Sequence, residues 1–298
     1  MGRHRGALAF AAAVREGEFT GAERAYGTAS GAVRALGVRA LTGADVDVVE
    51  RWCAARPDSA PAQVALGACR IDAAWEVRGT GLAESVSRAA WERFHEGLRR
   101  AEAGLERGAK LDPADATPWT LLLRSGRGLE IPVEELRLRF EQATRRDPGL
   151  CVAHDEMLQA LAQKWFGSHE EMFAFARGVA DGAADGSPLH ALVAVAHQER
   201  WVLEEEGRFG AEYFVGEVLA EVTAAAQRSV LLPGFPDPAE DPDAMWAMNV
   251  FALPLWFGGA REWSASLMGR LGDHLTEAPW WYVADEADVI AAARAGET

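Results

Sequence analysis

The chain has 298 residues, with 45 acidic against 30 basic side chains, a formal net charge of −15 and an isoelectric point near 5.0. That balance excludes nonspecific nucleic-acid binding, which needs a basic footprint, and it favours solubility and a basic partner. Hydrophobic residues make up 49% of the chain, enough for a sizeable core in one or two domains, yet no run approaches the roughly 20 apolar residues of a membrane span.

The N-terminal stretch MGRHRGALAFAAAVREGEF imitates a secretory leader, with basic residues before an apolar stretch. Arg15 and Glu16 interrupt it and no polar cleavage region follows, so a first helix near 3–15 is predicted instead. Helical periodicity then fills nearly everything between the Gly and Pro breaks, and no alternating strand is present. Helices are predicted near 19–36, 43–56, 61–78, 82–109, 114–127, 132–146, 149–165, 169–183, 188–206, 209–231, 242–257, 260–275 and 279–295. Thr42 to Asp45 reads as a cap for the helix at 43–56. Cys53, Cys69 and Cys151 lie in apolar helical contexts with no C-x-x-C. They read as buried thiols of a reducing, cytoplasmic compartment and give no disulfide framework. Only Lys110 and Lys164 are lysines; with abundant Ala and Gly, this is the composition of a high-GC bacterial coding sequence.

A repeat organises the middle of the chain. Leu111-Asp112-Pro113 and Arg146-Asp147-Pro148 match in register, with 35 residues between the prolines. Proline suits a helix start, where its missing N–H costs nothing. His154 and Trp165 are 11 residues apart, and so are His190 and Trp201, each pair shifted by 36. Eleven residues is close to three helical turns, which predicts that each His shares a helix face with its Trp. A two-helix unit repeating at about 34 residues is the signature of a tetratricopeptide array. FEQATRRDP, with Phe140, Ala143 and Asp147-Pro148, resembles the second helix of a tetratricopeptide repeat and its exit, and RAEAGLERGAKLDP resembles the same element one repeat earlier. The resemblance covers roughly residues 82–206, and the usual first-helix Trp, Leu, Gly and Tyr positions are mostly missing. It implies a right-handed α-solenoid of antiparallel helix pairs, all-α, over 1–231.

Residues 164–177, KWFGSHEEMFAFAR, read as the joint between two helices. Gly167 supplies the turn, and Ser168 to Glu171 forms a capping box in which Ser takes the N3 amide and Glu reaches back. Met172, Phe173, Ala176 and Val179 continue as an apolar stripe. The block also resembles an uncharacterised bacterial family carrying K-W-x-G-S-x-E-x-M-F-x-F-A, which implies a shared fold and no activity. LPGFPDPAEDPDA, at 232–244, is the acidic, Pro-rich linker candidate. Beyond it, 245–298 reads as a C-terminal helical cap packed on the array, with Pro254 kinking or ending its helix. Trp280-Trp281-Tyr282 cannot all point one way, since successive helical positions differ by about 100°, so at least one ring is predicted to meet a second surface.

Catalytic signatures are absent: no H-E-x-x-H, G-x-S-x-G, P-loop, dinucleotide glycine fingerprint or EF-hand spacing. What remains is spatial. In a helix-pair array, His154 and His190 occupy equivalent first-helix positions, with His197 two turns further on. Asp155, Glu156 and Glu199 lie near in sequence. His154, His190, His197 and Glu199 are thus the candidate metal or acid–base group, against the plainer reading in which each His packs and hydrogen-bonds between helices. The Glu204-Glu205-Glu206 run opposes its helix dipole and reads as a solvated face. The leading functional expectation is a noncatalytic scaffold binding a protein or basic peptide on a concave acidic surface bordered by Trp119, His154, Trp165, His190, His197 and Trp201. It implies no cofactor, catalytic residue, nucleic acid or membrane partner. The rival is a small-pathway enzyme with a His/Glu site inside the helical cup.

Overall fold

A computed structural model describes residues 4–79, 86–204 and 211–296. The start of the helix predicted at 82, and Glu205 and Glu206, lie outside these residues. Among the described residues the structure is all-helical, with no strand. Residue contacts group the chain into two compact units, Arg5–Met157 and Leu158–Thr298 with Met1–His4.

The first unit contains α1 (Arg5–Arg15), α2 (Phe19–Thr28), α3 (Gly31–Arg39), α4 (Val46–Ala55), α5 (Ala60–Arg78), α6 (Arg88–Leu111), α7 (Thr117–Gly128), α8 (Val133–Arg146) and the first turns of α9 (Cys151–Leu161). The helix predicted at 19–36 is two helices. Ser30 Oγ accepts the Val33 amide at 3.3 Å to start α3, while Arg34 Nε donates to the Tyr26 carbonyl at 2.9 Å to close α2. At its centre α5 is buried on most faces from Ala62 to Ala74 and packs on α2, α3, α4, α6 and α7. Small residues make the α5–α6 crossing close. A Cβ on Gly67 would come within 2.5 Å of Leu105, and one on Gly108 within 2.7 Å of Val64. Phe10, Tyr26, Trp52, Phe94 and Leu98 fill the core around this crossing.

Asp112 and Asp147, 35 residues apart, end their helices with similar backbone angles. Asp112 ends α6 with φ −126° and ψ 88°, and Asp147 ends α8 with φ −141° and ψ 90°. Pro113 and Pro148 follow in turns and do not start the next helices, which begin at Thr117 and Cys151.

The second unit contains the rest of α9, α10 (His169–Gly182), α11 (Ala191–Glu204), α12 (Gly216–Gln227), α13 (Pro242–Phe257), α14 (Arg261–Leu271) and α15 (Glu286–Ala295). Three 3-10 turns, Pro188–His190, Ala211–Phe214 and Trp280–Tyr282, join them. Asp241 caps α13 by accepting the Asp243 and Ala244 amides. This helix is the centre of the unit, buried almost throughout and packed on α11, α12, α14 and α15. Apolar as it is, no helix among the described residues is long and apolar enough to cross a membrane. Pro254 does not end α13, which continues to Phe257. Of residues 232–244, the stretch 232–241 runs as turns and irregular chain with Phe235 buried, held by Arg270 donating to the Phe235 carbonyl at 2.9 Å, and 242–244 already open α13.

Candidate functional site

Helix α11 carries four consecutive polar residues, His197-Gln198-Glu199-Arg200, after an apolar first half, and the first three are buried. Successive residues project about 100° apart, so each reaches a different element. Gln198 Nε2 donates to the Val250 carbonyl of α13 at 2.8 Å. That carbonyl is free because Pro254, four residues on, has no N–H to give it.

His197 is the middle of a chain. Glu221 on α12 meets its Nε2 at 3.0 Å, and Tyr213 meets its Nδ1 at 2.9 Å. Arg177 of α10 holds the same carboxylate with two bonds of 2.6 and 2.9 Å. The Arg177 hydrogen bonds and the His197 contact hold Glu221 down at about 2, so it is ionised and only accepts. Nε2 therefore carries the ring proton, and Nδ1 accepts from the Tyr213 hydroxyl. Burial lowers the His197 pKa and keeps the ring neutral. Phe173 covers one ring edge, centroids 4.8 Å apart. The order carboxylate–imidazole–phenol resembles the wiring by which enzymes activate a hydroxyl.

Glu199 is 1% exposed and takes bonds from three directions. Gln159 Nε2 of α9 donates at 2.7 Å, the Tyr282 hydroxyl at 2.7 Å, and Lys164 Nζ lies 2.5 Å from Oε2. Burial works to raise this carboxyl's pKa, but Lys164 and the two hydrogen-bond donors together bring it below the usual value.

Tyr282 belongs to the Trp280–Tyr282 turn, which is fixed on both sides. Asn249, fully buried on α13, donates to the Met245 and His274 carbonyls and accepts from the Thr276 amide and from Trp280 Nε1 at 2.9 Å. With Trp280 fully buried and Tyr282 tied to Glu199, the residue between them has nowhere inward to go. Trp281 is 61% exposed. Exposed Glu277, Asp285, Glu286 and Asp288 flank it in sequence.

The residues singled out in the sequence lie elsewhere than at an open rim. In the first unit, His154 is buried, its Nδ1 donating to the Leu150 carbonyl at 3.0 Å, and Trp119 is half-buried beneath the Arg146 guanidinium. In the second unit, His190 is buried and its Nε2 donates to the Ala184 carbonyl at 3.1 Å. Trp201 is fully buried against Phe214 and Phe257. Trp165 is half-buried beside Phe166. The 11-residue His–Trp pairs do not share helix faces: α9 ends at Leu161, before Trp165, and His190 closes a 3-10 turn ahead of α11. His190, His197 and Glu199 each keep separate partners, and among the described residues no three His, Cys, Asp or Glu side chains are grouped to hold a metal ion. Ser168 does accept the Glu171 amide at 3.1 Å, but Glu171 takes the Ser168 hydroxyl in place of the predicted reach to the N-cap amide.

Sequence reasoning passed over Gln198, Tyr213 and Glu221. For Gln198 a signal existed, in the HQER run after an apolar half-helix together with a mid-helix proline. For Tyr213 and Glu221 there was none, since their pairing with His197 is a matter of helix packing. No family model and no curated protein matches this chain.

Proposed function

We propose that this chain is a noncatalytic scaffold of tetratricopeptide-like helix pairs, cytoplasmic, that binds a basic segment of a partner protein through Trp281. The observation carrying this reading is a large aromatic ring held out at 61% exposure between a fully buried Trp280 and a half-buried Tyr282 bonded to Glu199. Binding energy concentrates in such residues, and a turn already fixed loses little entropy on docking. The flanking carboxylates and the net charge of −15 favour Arg- and Lys-rich sequences, with guanidinium over indole as the natural contact. In this reading His154, His190, His197 and Trp201 are the internal frame. The equivalent caps at Asp112 and Asp147 support the helix-pair assignment. An Arg-rich peptide titrated against the protein should bind saturably. Trp281→Ala should weaken it about 30-fold, or about 2 kcal/mol, and Trp263→Ala should not. Equal binding by both variants would remove Trp281 from the contact.

A second reading, acid–base chemistry, rests on the Glu221–His197–Tyr213 order. It requires Tyr213 to be labelled by an aryl sulfonyl fluoride, the phenol oxygen displacing fluoride while its proton passes to His197 Nδ1. Labelling at the same rate in His197→Ala would rule it out.

A further inference from the structure

Trp281 stands on a turn whose neighbours are held from two helices. On one side Asn249 of α13 accepts from Trp280 Nε1 at 2.9 Å. On the other, the Tyr282 hydroxyl donates to Glu199 Oε1 of α11 at 2.7 Å. The Tyr282 ring also lies against the indole of Trp281, centroids 5.9 Å apart and planes tilted by 55°. Whatever fixes Tyr282 therefore fixes one side of Trp281. Glu199 suits that task because it is itself immobile. It is 1% exposed, Gln159 Nε2 donates to the same Oε1 at 2.7 Å, and Lys164 Nζ lies 2.5 Å from Oε2. A hydrogen bond to a buried ionised acceptor is among the stronger ones a hydroxyl makes. The turn needs such a hold. It joins α15 through Asp285 at φ 55°, a left-handed conformation that strains a residue other than glycine and persists only where its surroundings impose it.

We infer that Glu199, clamped by Lys164 and Gln159, is the positioning residue for the Trp281 contact and acts through Tyr282, an inference that rests on the reading of Trp281 as the docking ring. Glu199 touches no partner in this scheme. It holds the Tyr282 ring as a fixed backing for the indole, so the side chain is already ordered when a partner arrives. A side chain that must be ordered at docking weakens affinity by roughly two- to tenfold. Through Lys164 the same clamp ties the α9–α10 joint to the turn.

Two measurements separate position from stability, both made at a temperature where every variant is folded. One is affinity for the Arg-rich peptide. The other is amide hydrogen exchange in the free protein at Trp281, Tyr282 and Val283, whose N–H groups donate to the Glu277, Pro279 and Trp280 carbonyls at 2.9, 3.0 and 3.1 Å. Tyr282→Phe keeps the ring and removes only the hydroxyl. It should bind the peptide about fivefold more weakly and exchange these amides at least about fivefold faster. Glu199→Gln should bind within about twofold of wild type even where its melting temperature falls, because an amide still pairs with the Tyr282 hydroxyl. A residue that served stability alone would move the melting temperature and leave the affinity of the folded protein where it was. The inference is overturned if Tyr282→Phe exchanges as wild type does, if it binds as tightly as a wild type that Trp281→Ala weakens, or if Glu199→Gln loses as much affinity as Tyr282→Phe. Wild type that fails to bind, or Trp281→Ala that binds as wild type, would instead remove the docking reading. The exchange rates of Tyr282→Phe would then still decide whether Glu199 holds the turn.

Discussion

His154, His190 and His197 all have pKa values lowered from 6.5, with burial the leading cause in each. The sign follows directly. Protons bind the unfolded chain more tightly, so the stability these rings contribute is present above 6.5 and drains as pH falls below it. Urea midpoints should hold level above neutrality and decline from about pH 6.5 downward, each ring adding a slope of up to about 1.4 kcal/mol per pH unit. His197→Gln should flatten part of that decline. A flat profile to pH 5 would mean the rings protonate in place. Glu199 makes a second test at this scale. Lys164→Met leaves a buried carboxylate without its cation and should cost about 3 kcal/mol; adding Glu199→Gln should recover most of it, as measured by urea unfolding. Lys164 was conspicuous beforehand as one of two lysines among many arginines. That Glu199 is its partner was not legible, because Glu199 sits 35 residues away on α11.

At the scale of elements, α13 tolerates an internal proline because α11 repairs the damage. Gln198→Leu should orphan the Val250 carbonyl and destabilise by about 1–3 kcal/mol. In a Pro254→Ala background the helix can reclaim that carbonyl, and the cost of Gln198→Leu should fall toward zero. A double-mutant cycle without coupling would detach the two residues. Gly167 governs the α9–α10 joint. A Cβ there would overlap the Leu161 carbonyl, so Gly167→Ala should lower stability by about 2–3 kcal/mol, with the far-ultraviolet spectrum of the folded state unchanged. Most helices were legible from periodicity, since apolar faces at a 3.6-residue spacing are a local property. Several breaks were hidden, two of them held by distant or following side chains. Arg34 closes α2 from the following helix, and the Trp280–Tyr282 turn is separated from α15 by Asp285 at φ 55°. Both depend on side-chain bonds that no window of hydrophobicity records.

At the scale of the whole molecule, the net charge of −15 sets long-range behaviour. Self-repulsion at low salt should be relieved by screening, so the melting temperature should rise from low to physiological ionic strength. Association with a basic peptide should move the other way, its on-rate falling about tenfold or more over the same range. A salt-independent on-rate would deny the acidic surface a part in recognition.

The sequence by itself determined that the chain is helical, where most helices start and stop, and that one ring of Trp280-Trp281-Tyr282 must point away from the other two. Periodicity and capping are read from neighbours in sequence. Tertiary structure alone decided that the conspicuous histidines lie inside, that His197 is wired to Glu221 and Tyr213, and that Trp281 is the ring left out. Burial and pairing depend on which faces of distant helices meet, and a helix's own sequence gives the face without naming what covers it.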